Sequence, residues 1–270
     1  MLMPQVAKVA FTDYLQSTAK ALNLINASDK LPDKGMIILK PNLTNADSPP
    51  VTTPVEIVEA VYLYCRELCY ADIAIGEGCG SGKTIDTFHQ NGYEVLARKY
   101  NIELIDFNEC KTDKLKNPSC HTLKEFHIPK IAREAFIISI PVLKDHSFTV
   151  TAIAMKNMFG IAPATHYKGS WNKSKLHSPS THKSVVDVCC YKKPDLCVVD
   201  AVTALQGMHL SGTPLKLNTI LASFDPVAID AVGSELLGHD PRAIEYLQLA
   251  NGKLGSMDNI EIVDSSPEPC

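Results

Sequence analysis

Three lysines in this sequence stand where a lysine is costly. Lys40 closes the apolar run MIILK and is followed by Pro41 and Asn42. Lys144 and His146 close FIISIPVLKDH, and Lys156 with Asn157 interrupts AIAMKNMFG. An ammonium at the end of a buried run must reach water or find a partner. Three of them with a histidine, at the ends of apolar runs, point to one edge of one sheet and to an anionic ligand. His146, Lys144 and Lys156 are the catalytic candidates, for proton transfer or ligation; Lys40, Asn42 and Asn157 are candidates for binding substrate. Asp200 closes LCVVD and Asp225 closes ILASFD, with Asp230 a turn further on. Asp225 joins the binding candidates, although Asp225-Pro226 also reads as an N-cap and first helical residue.

The stretch IAIGEGCGSGKT, residues 73–84, invites a nucleotide-binding interpretation that its spacing rejects. A phosphate-wrapping loop of the G-x-x-x-x-G-K-S/T kind needs a glycine five residues before the one that precedes its lysine. Counting back from Gly82, Lys83 and Thr84, that place holds Glu77. A carboxylate there would repel the phosphates. The informative part is therefore GEGCG: a glycine loop after a strand, where open α/β sheets bind ligands. Glu77, Gly78 and Gly80 are the binding candidates it supplies.

The surrounding composition is that of an ordinary globular chain. Of 270 residues, 45% are hydrophobic and 21% charged, and the net charge of −4 offers no global field for nucleic acid. The start, MLMPQVAKVAF, lacks the basic-then-apolar pattern of a secretory signal, and the longest apolar run, 135–143, is too short to span a bilayer. A cytoplasmic chain without membrane or nucleic-acid partners is expected. Nine cysteines, at 65, 69, 79, 110, 120, 189, 190, 197 and 270, include no C-x-x-C pair. No iron–sulfur cluster motif is present, and cofactor and metal remain open, a bound metal ion being compatible with the residues.

β-rich runs alternate with helical patterns, which predicts a layered α/β fold with a mainly parallel or mixed sheet, built as a single domain over 1–270. Thr53, Pro54 and Glu56 read as N-cap, first and third residues of a helix through 68. Residues 110–120 read as a polar loop, and 148–160 as a helix ending at Gly160. Residues 164–183 carry Lys168, Lys173, Lys175, Lys183, His166, His177, His182 and the sole Trp, with no acid, and are expected to form a lid or binding loop.

The pieces LKPNL, TTPVEIVEAV, IGEGCG, IPVLKDH, MKNMFG, PDLCVVDAV, LSGTPLKL and DPVAIDAVGSELLG, in this order from about Lys34 to Leu254, resemble domain-of-unknown-function family 362 (DUF362). The resemblance implies the α/β fold and a site built from these pieces, with Lys83 incidental. Many members carry ferredoxin-like four-iron four-sulfur modules, which this sequence lacks; Ala201 also departs from the glycine often found after the aspartate of that strand. A fainter likeness, to the amino-terminal part of lactate racemase-type proteins, implies His146, Lys156 and one of His177 or His182 around a nickel cofactor, although Ala154-Met155 replaces the glycine pair expected before the lysine. Together these give two expectations. One is an enzyme acting on a small anionic molecule or metal-bound cofactor at the carboxyl edge of the sheet. The other is a non-catalytic, metal- or cofactor-carrying accessory to a ferredoxin-like redox partner.

Overall fold

The structure, a computed structural model, describes residues 3–264, so Cys270 lies outside the described residues. Twelve strands alternate with helices in chain order: β1 (Gln5–Ala10), β2 (Met36–Pro41), β3 (Asp72–Glu77), β4 (Glu103–Asp106), β5 (Thr112–Lys116), β6 (Glu125–Pro129), β7 (Phe136–Ile140), β8 (Val142–His146), β9 (Val150–Ala152), β10 (Leu196–Gln206), β11 (Thr213–Ser223) and β12 (Glu261–Asp264). The ten helices are α1 (Tyr14–Leu24), α2 (Val55–Leu68), α3 (Thr84–Gln90), α4 (Tyr93–Tyr100), α5 (Lys130–Glu134), α6 (Ala154–Asn157), α7 (Ala164–Tyr167), α8 (Thr181–Tyr191), α9 (Pro226–Leu236) and α10 (Glu245–Ala250).

The main sheet runs β12-β1-β11-β10-β7-β2-β3-β4, with β8 attached to β10 and β9 to β8. From β10 through β7, β2 and β3 to β4 every pairing is parallel, while β11 is antiparallel to both its neighbours. The layered α/β fold with a mixed, largely parallel sheet is thus as expected. Its centre is covered on both faces, which is why the run IIL is continuously apolar and FIISI is interrupted only by the buried, hydrogen-bonded Ser139. Alternation decides which side each residue serves: Ile37 and Leu39 pack with α1 and α2, whereas Ile38 joins Met155, Met158 and the apolar residues of α8. Each fully buried isoleucine contributes about 1.5–3 kcal/mol.

Three local expectations need correction. Thr53 does not cap α2; its hydroxyl accepts from the Asn42 amide at 2.9 Å and donates to the Ile140 carbonyl at 2.8 Å, tying together the ends of β2 and β7. Residues 110–120 hold strand β5, paired antiparallel with β6, rather than a plain loop. The stretch 148–160 is not one helix. Val150, at φ 66°, opens β9 directly after the turn at 147–149 that reverses the chain from β8, and only the single turn α6 and a 3-10 segment, Met158–Ile161, follow. β-branched Val150 and Thr151 favour the short strand there over a helix.

Candidate functional site

At the carboxyl edge of β2, β3 and β8 a cavity of about 330 Å³ opens, lined among others by Asn42, Glu77, Lys144, His146, Lys156, Asn157, Lys173, His177 and His209. Its floor is an ion pair. Lys40 is fully buried and its Nζ donates to Glu77 Oε2 at 2.7 Å, Asn157 Oδ1 at 3.1 Å and the Pro41 carbonyl at 3.1 Å. An ammonium has three N–H groups, so Lys40 has none left for a ligand. Burial pulls its pKa down, against the opposing pull of Glu77. Glu77 is equally occupied: Oε1 accepts from the Gly78 amide at 2.7 Å, and Oε2 also accepts from the Leu43 amide at 3.3 Å. Asn157 completes the block, donating from Nδ2 to the Lys40 carbonyl and to Ser139 Oγ, both at 3.0 Å.

Two glycines allow this packing. A Cβ on Gly160 would collide with the Glu77 carboxylate and Lys40, and one on Gly78 would come within 2.6 Å of the Gly160 carbonyl. Gly80 lies against Thr44, whose carbonyl accepts from the Ser81 amide at 2.9 Å. Both loop glycines line the cavity.

The remaining lysines differ in how many donors they have spent. Lys144 Nζ donates to Asn42 Oδ1 at 2.7 Å and to the Val51 carbonyl at 2.8 Å, leaving one N–H. Lys173 Nζ donates to Asn108 Oδ1 at 2.6 Å and to the Ala162 carbonyl, again leaving one. Lys156 makes no side-chain hydrogen bond; its Nζ lies 4.0 Å from the centroid of Phe159, a cation–π contact, with all three N–H groups free. Burial holds each of these three amines down at about 7, Lys156 being lowered further by Lys144 and Lys40. Glu77 pulls the other way on Lys144 and Lys173.

Three imidazoles share the cavity with complementary faces. His146 Nδ1 accepts from the Phe148 amide at 3.1 Å, which places its proton on Nε2. His177 Nδ1 lies 3.0 Å from the Lys173 carbonyl; a carbonyl can only accept, so Nδ1 carries the proton and Nε2 the lone pair. His209 stacks on His146 with centroids 4.2 Å apart, and its buried Nδ1 has no partner. Burial keeps all three neutral near pH 7. Lys156 adds to the effect on each, and His177 and His209 are held at about 4. Exposed Phe148, Trp171 and Leu210 form an apolar rim.

The supporting residues explain the arrangement. Strand alternation in β8 puts Lys144 and His146 on the cavity side and Asp145 on the other. There Asp145 Oδ1 meets His239 Nε2 at 2.7 Å, while Oδ2 accepts from the Gly207 amide at 2.6 Å. That bond holds the 207–212 turn carrying His209. Asp230, a turn beyond Asp225, accepts from the amides of Ala154 at 2.8 Å and Met155 at 3.2 Å, fixing α6 and hence Lys156. Burial raises its pKa to about 7.

Of the residues singled out in the sequence, Lys144, His146, Lys156, Asn42, Asn157, Glu77, Gly78 and Gly80 line the cavity. Lys40 lies behind it as a buttress. Asp225 does not reach it: Oδ1 caps α9 through the amides of Val227 and Ala228, both at 2.9 Å, and Oδ2 accepts from Ser256. The reason is topological, since antiparallel β11 ends at the opposite edge from β2 and β3. Asp200 accepts from Tyr14 and the Val202 amide, away from the cavity wall. Lys83 is exposed, and Thr84 donates to Asp106 at 2.6 Å, so the GKT tripeptide is structural. Within 164–183, Lys173 and His177 line the cavity while His182 lies against Tyr246. Sequence reasoning named Lys173 only as one lysine of the 164–183 segment, not as a site residue, and missed His209. The acid-free composition of 164–183 was a signal for the first; nothing local marks the second, which arrives on a long hairpin.

A preformed metal centre does not fit these residues. Among the described residues no group of three His, Cys, Asp or Glu side chains is placed to hold a metal ion. Nor is any helix among the described residues long and apolar enough to cross a membrane.

Comparison with known proteins agrees with this fold. The family profile described as "Domain of unknown function (DUF362)" matches residues 37–235. A thylakoid-associated protein of Synechocystis sp. is 27% identical over 229 residues, covering 81% of this chain and 68% of that protein. Among solved structures, the lactate racemase apoprotein of Thermoanaerobacterium thermosaccharolyticum superposes with a TM-score of 0.52 at 13% identity, over 85% of this chain and 56% of that one. The chain thus spans little more than half of that structure, and the likeness is one of fold.

Proposed function

This chain belongs to the DUF362 family, and from that premise we propose that it is an enzyme that binds a small anionic molecule in the cavity and moves protons on it. One observation carries the proposal: Lys144, Lys156 and Lys173 bring five unspent N–H donors into one cavity, since one, three and one remain after their internal bonds. The carboxylate lining that cavity, Glu77, is already committed to Lys40 and two backbone amides. A carboxylate or phosphate would take those donors and raise the lysine pKa values.

The imidazoles supply the proton chemistry. His177 offers a lone pair at Nε2 and His146 a proton at Nε2, so one group accepts while the other donates. Such a pair suits removal of a proton next to a carbonyl or carboxylate and its return at another position. Lactate, which names the structural neighbour, is a carboxylate of the size and charge such a site would take. In this scheme the 164–183 segment serves as a binding wall, a reading supported by Trp171, Lys173 and His177 lining the cavity and by Asn172 Nδ2 donating to the Cys79 and Gly82 carbonyls at 3.0 Å. Calorimetric titration with inorganic phosphate, pyruvate and lactate tests the reading. Saturable binding that is lost in Lys156→Ala supports it; no binding of any of the three removes it. A ferredoxin-like protein co-purifying with a chain that binds none of them would favour the accessory role instead.

A further inference from the structure

Among the four lysines at this edge, one is built differently. Lys40, Lys144 and Lys173 are fixed by hydrogen bonds to carboxylate, amide and carbonyl oxygens, whereas Lys156 Nζ has no hydrogen-bond acceptor at all. Its backbone, by contrast, is held firmly. Asp230 accepts from the amides of Ala154 and Met155, the Ser139 hydroxyl donates to the Ala154 carbonyl at 3.2 Å, and Asn157 is locked between Lys40 and Ser139. The result is a rigidly mounted, half-buried amine with an unshared tip opening into a cavity. An amine used only to balance charge would be expected to have found one of the nearby oxygens.

We infer that Lys156 is a covalent nucleophile that forms an imine with a carbonyl-bearing anion, such as a 2-oxo acid, whose carboxylate is held by Lys144 and Lys173. The inference rests on the anion-binding reading above and adds the covalent step. The neutral Nζ attacks the carbonyl carbon, the N–C bond forms, and the C=O π pair moves to oxygen, towards which the His146 Nε2–H donates a hydrogen bond. The nitrogen's surplus proton passes to the lone pair of His177 Nε2 and from there to that oxygen, giving the neutral carbinolamine. The remaining N–H proton then passes through His177 Nε2 to the hydroxyl, which leaves as water as the C=N bond forms. The sum is amine plus carbonyl giving imine plus water, and no oxidant is needed. Burial, which leaves a large neutral fraction of Lys156 near pH 7, makes the attack feasible there.

Reductive trapping tests this on the native chain. With pyruvate and sodium cyanoborohydride at neutral pH, intact mass and peptide mapping should show one reduced pyruvyl adduct per chain, on Lys156, suppressed by excess inorganic phosphate. Lys156→Arg keeps the charge and should remain folded but lose the adduct. Adducts scattered over exposed lysines such as Lys83, or no adduct although pyruvate binds saturably, would overturn the covalent step and leave the anion site standing. Absence of any saturable anion binding would remove both.

Discussion

The floor and the open face of the cavity use the same residue types to opposite ends. On the floor, Lys40, Glu77 and Asn157 have used their hydrogen-bonding capacity on one another, and Lys40 is sealed from solvent. On the open face, Lys156 has used none of its donors, and Lys144 and Lys173 have each kept one. Residue type therefore does not separate a fully bonded buttress from a side chain with donors to spare in this molecule. The count of donors and acceptors left over does.

The contrast breaks most severely on the floor. Lys40→Met would strand Glu77 as a buried, unpaired carboxylate and is expected to cost about 3–5 kcal/mol in urea denaturation. Gly160→Ala would push a methyl group into the same pair, and a loss of about 1–3 kcal/mol is expected. The open face should respond the other way. Lys156→Ala removes an amine with no hydrogen-bond partner, so stability should stay within about 1 kcal/mol of the native chain while anion binding disappears. If Lys40→Met and Lys156→Ala had equal effects on stability, the distinction between floor and face would be wrong.

Acidity sharpens the same comparison. The folded amines of Lys144, Lys156 and Lys173 lie at about 7, below the ordinary 10.5 that the unfolded chain restores. Between those values the unfolded chain holds more protons, so the ligand-free protein should become more stable as pH rises from about 7 towards 10. Below about pH 7 both states are protonated and this contribution is flat. An anion that raises the folded pKa values should oppose the trend, its affinity falling as pH rises. Melting curves at several pH values, with and without phosphate, check both signs. The smallest effect is expected at Lys83→Ala, which should leave stability within about 0.5 kcal/mol and binding unchanged.

Much of this was legible in the sequence where the chain is locally consistent. The apolar runs ending in Lys40 and in Lys144 with His146 pointed to one edge of one sheet, and the strand ends do meet there beside the cavity, because parallel strands deliver their carboxyl ends to one place. The spacing around Glu77 excluded a phosphate loop, in keeping with an exposed Lys83 and a Thr84 tied to Asp106. What could not be read depends on direction and distance. Asp225 resembles Asp200 in sequence, but antiparallel β11 carries it to the far edge, where it caps α9. Lys40 resembles Lys144, and only the partners brought from residues 77 and 157 show that its donors are spent. Residues 148–160 carry an apolar pattern compatible with a helix, yet the turn at 147–149, just ahead of Val150 with its positive φ, sends the chain back on itself. His209 reaches His146 through a hairpin held by Asp145, a contact without a local signature.

The most direct test of the central claim, that unspent amines at the open face make this an anion site, is calorimetric titration of the native chain with pyruvate at pH 8 in two buffers of different ionisation enthalpy. The account predicts saturable binding with net proton uptake, and loss of both in Lys156→Ala. Binding without proton uptake that persists in Lys156→Ala, or no binding at all, would contradict it.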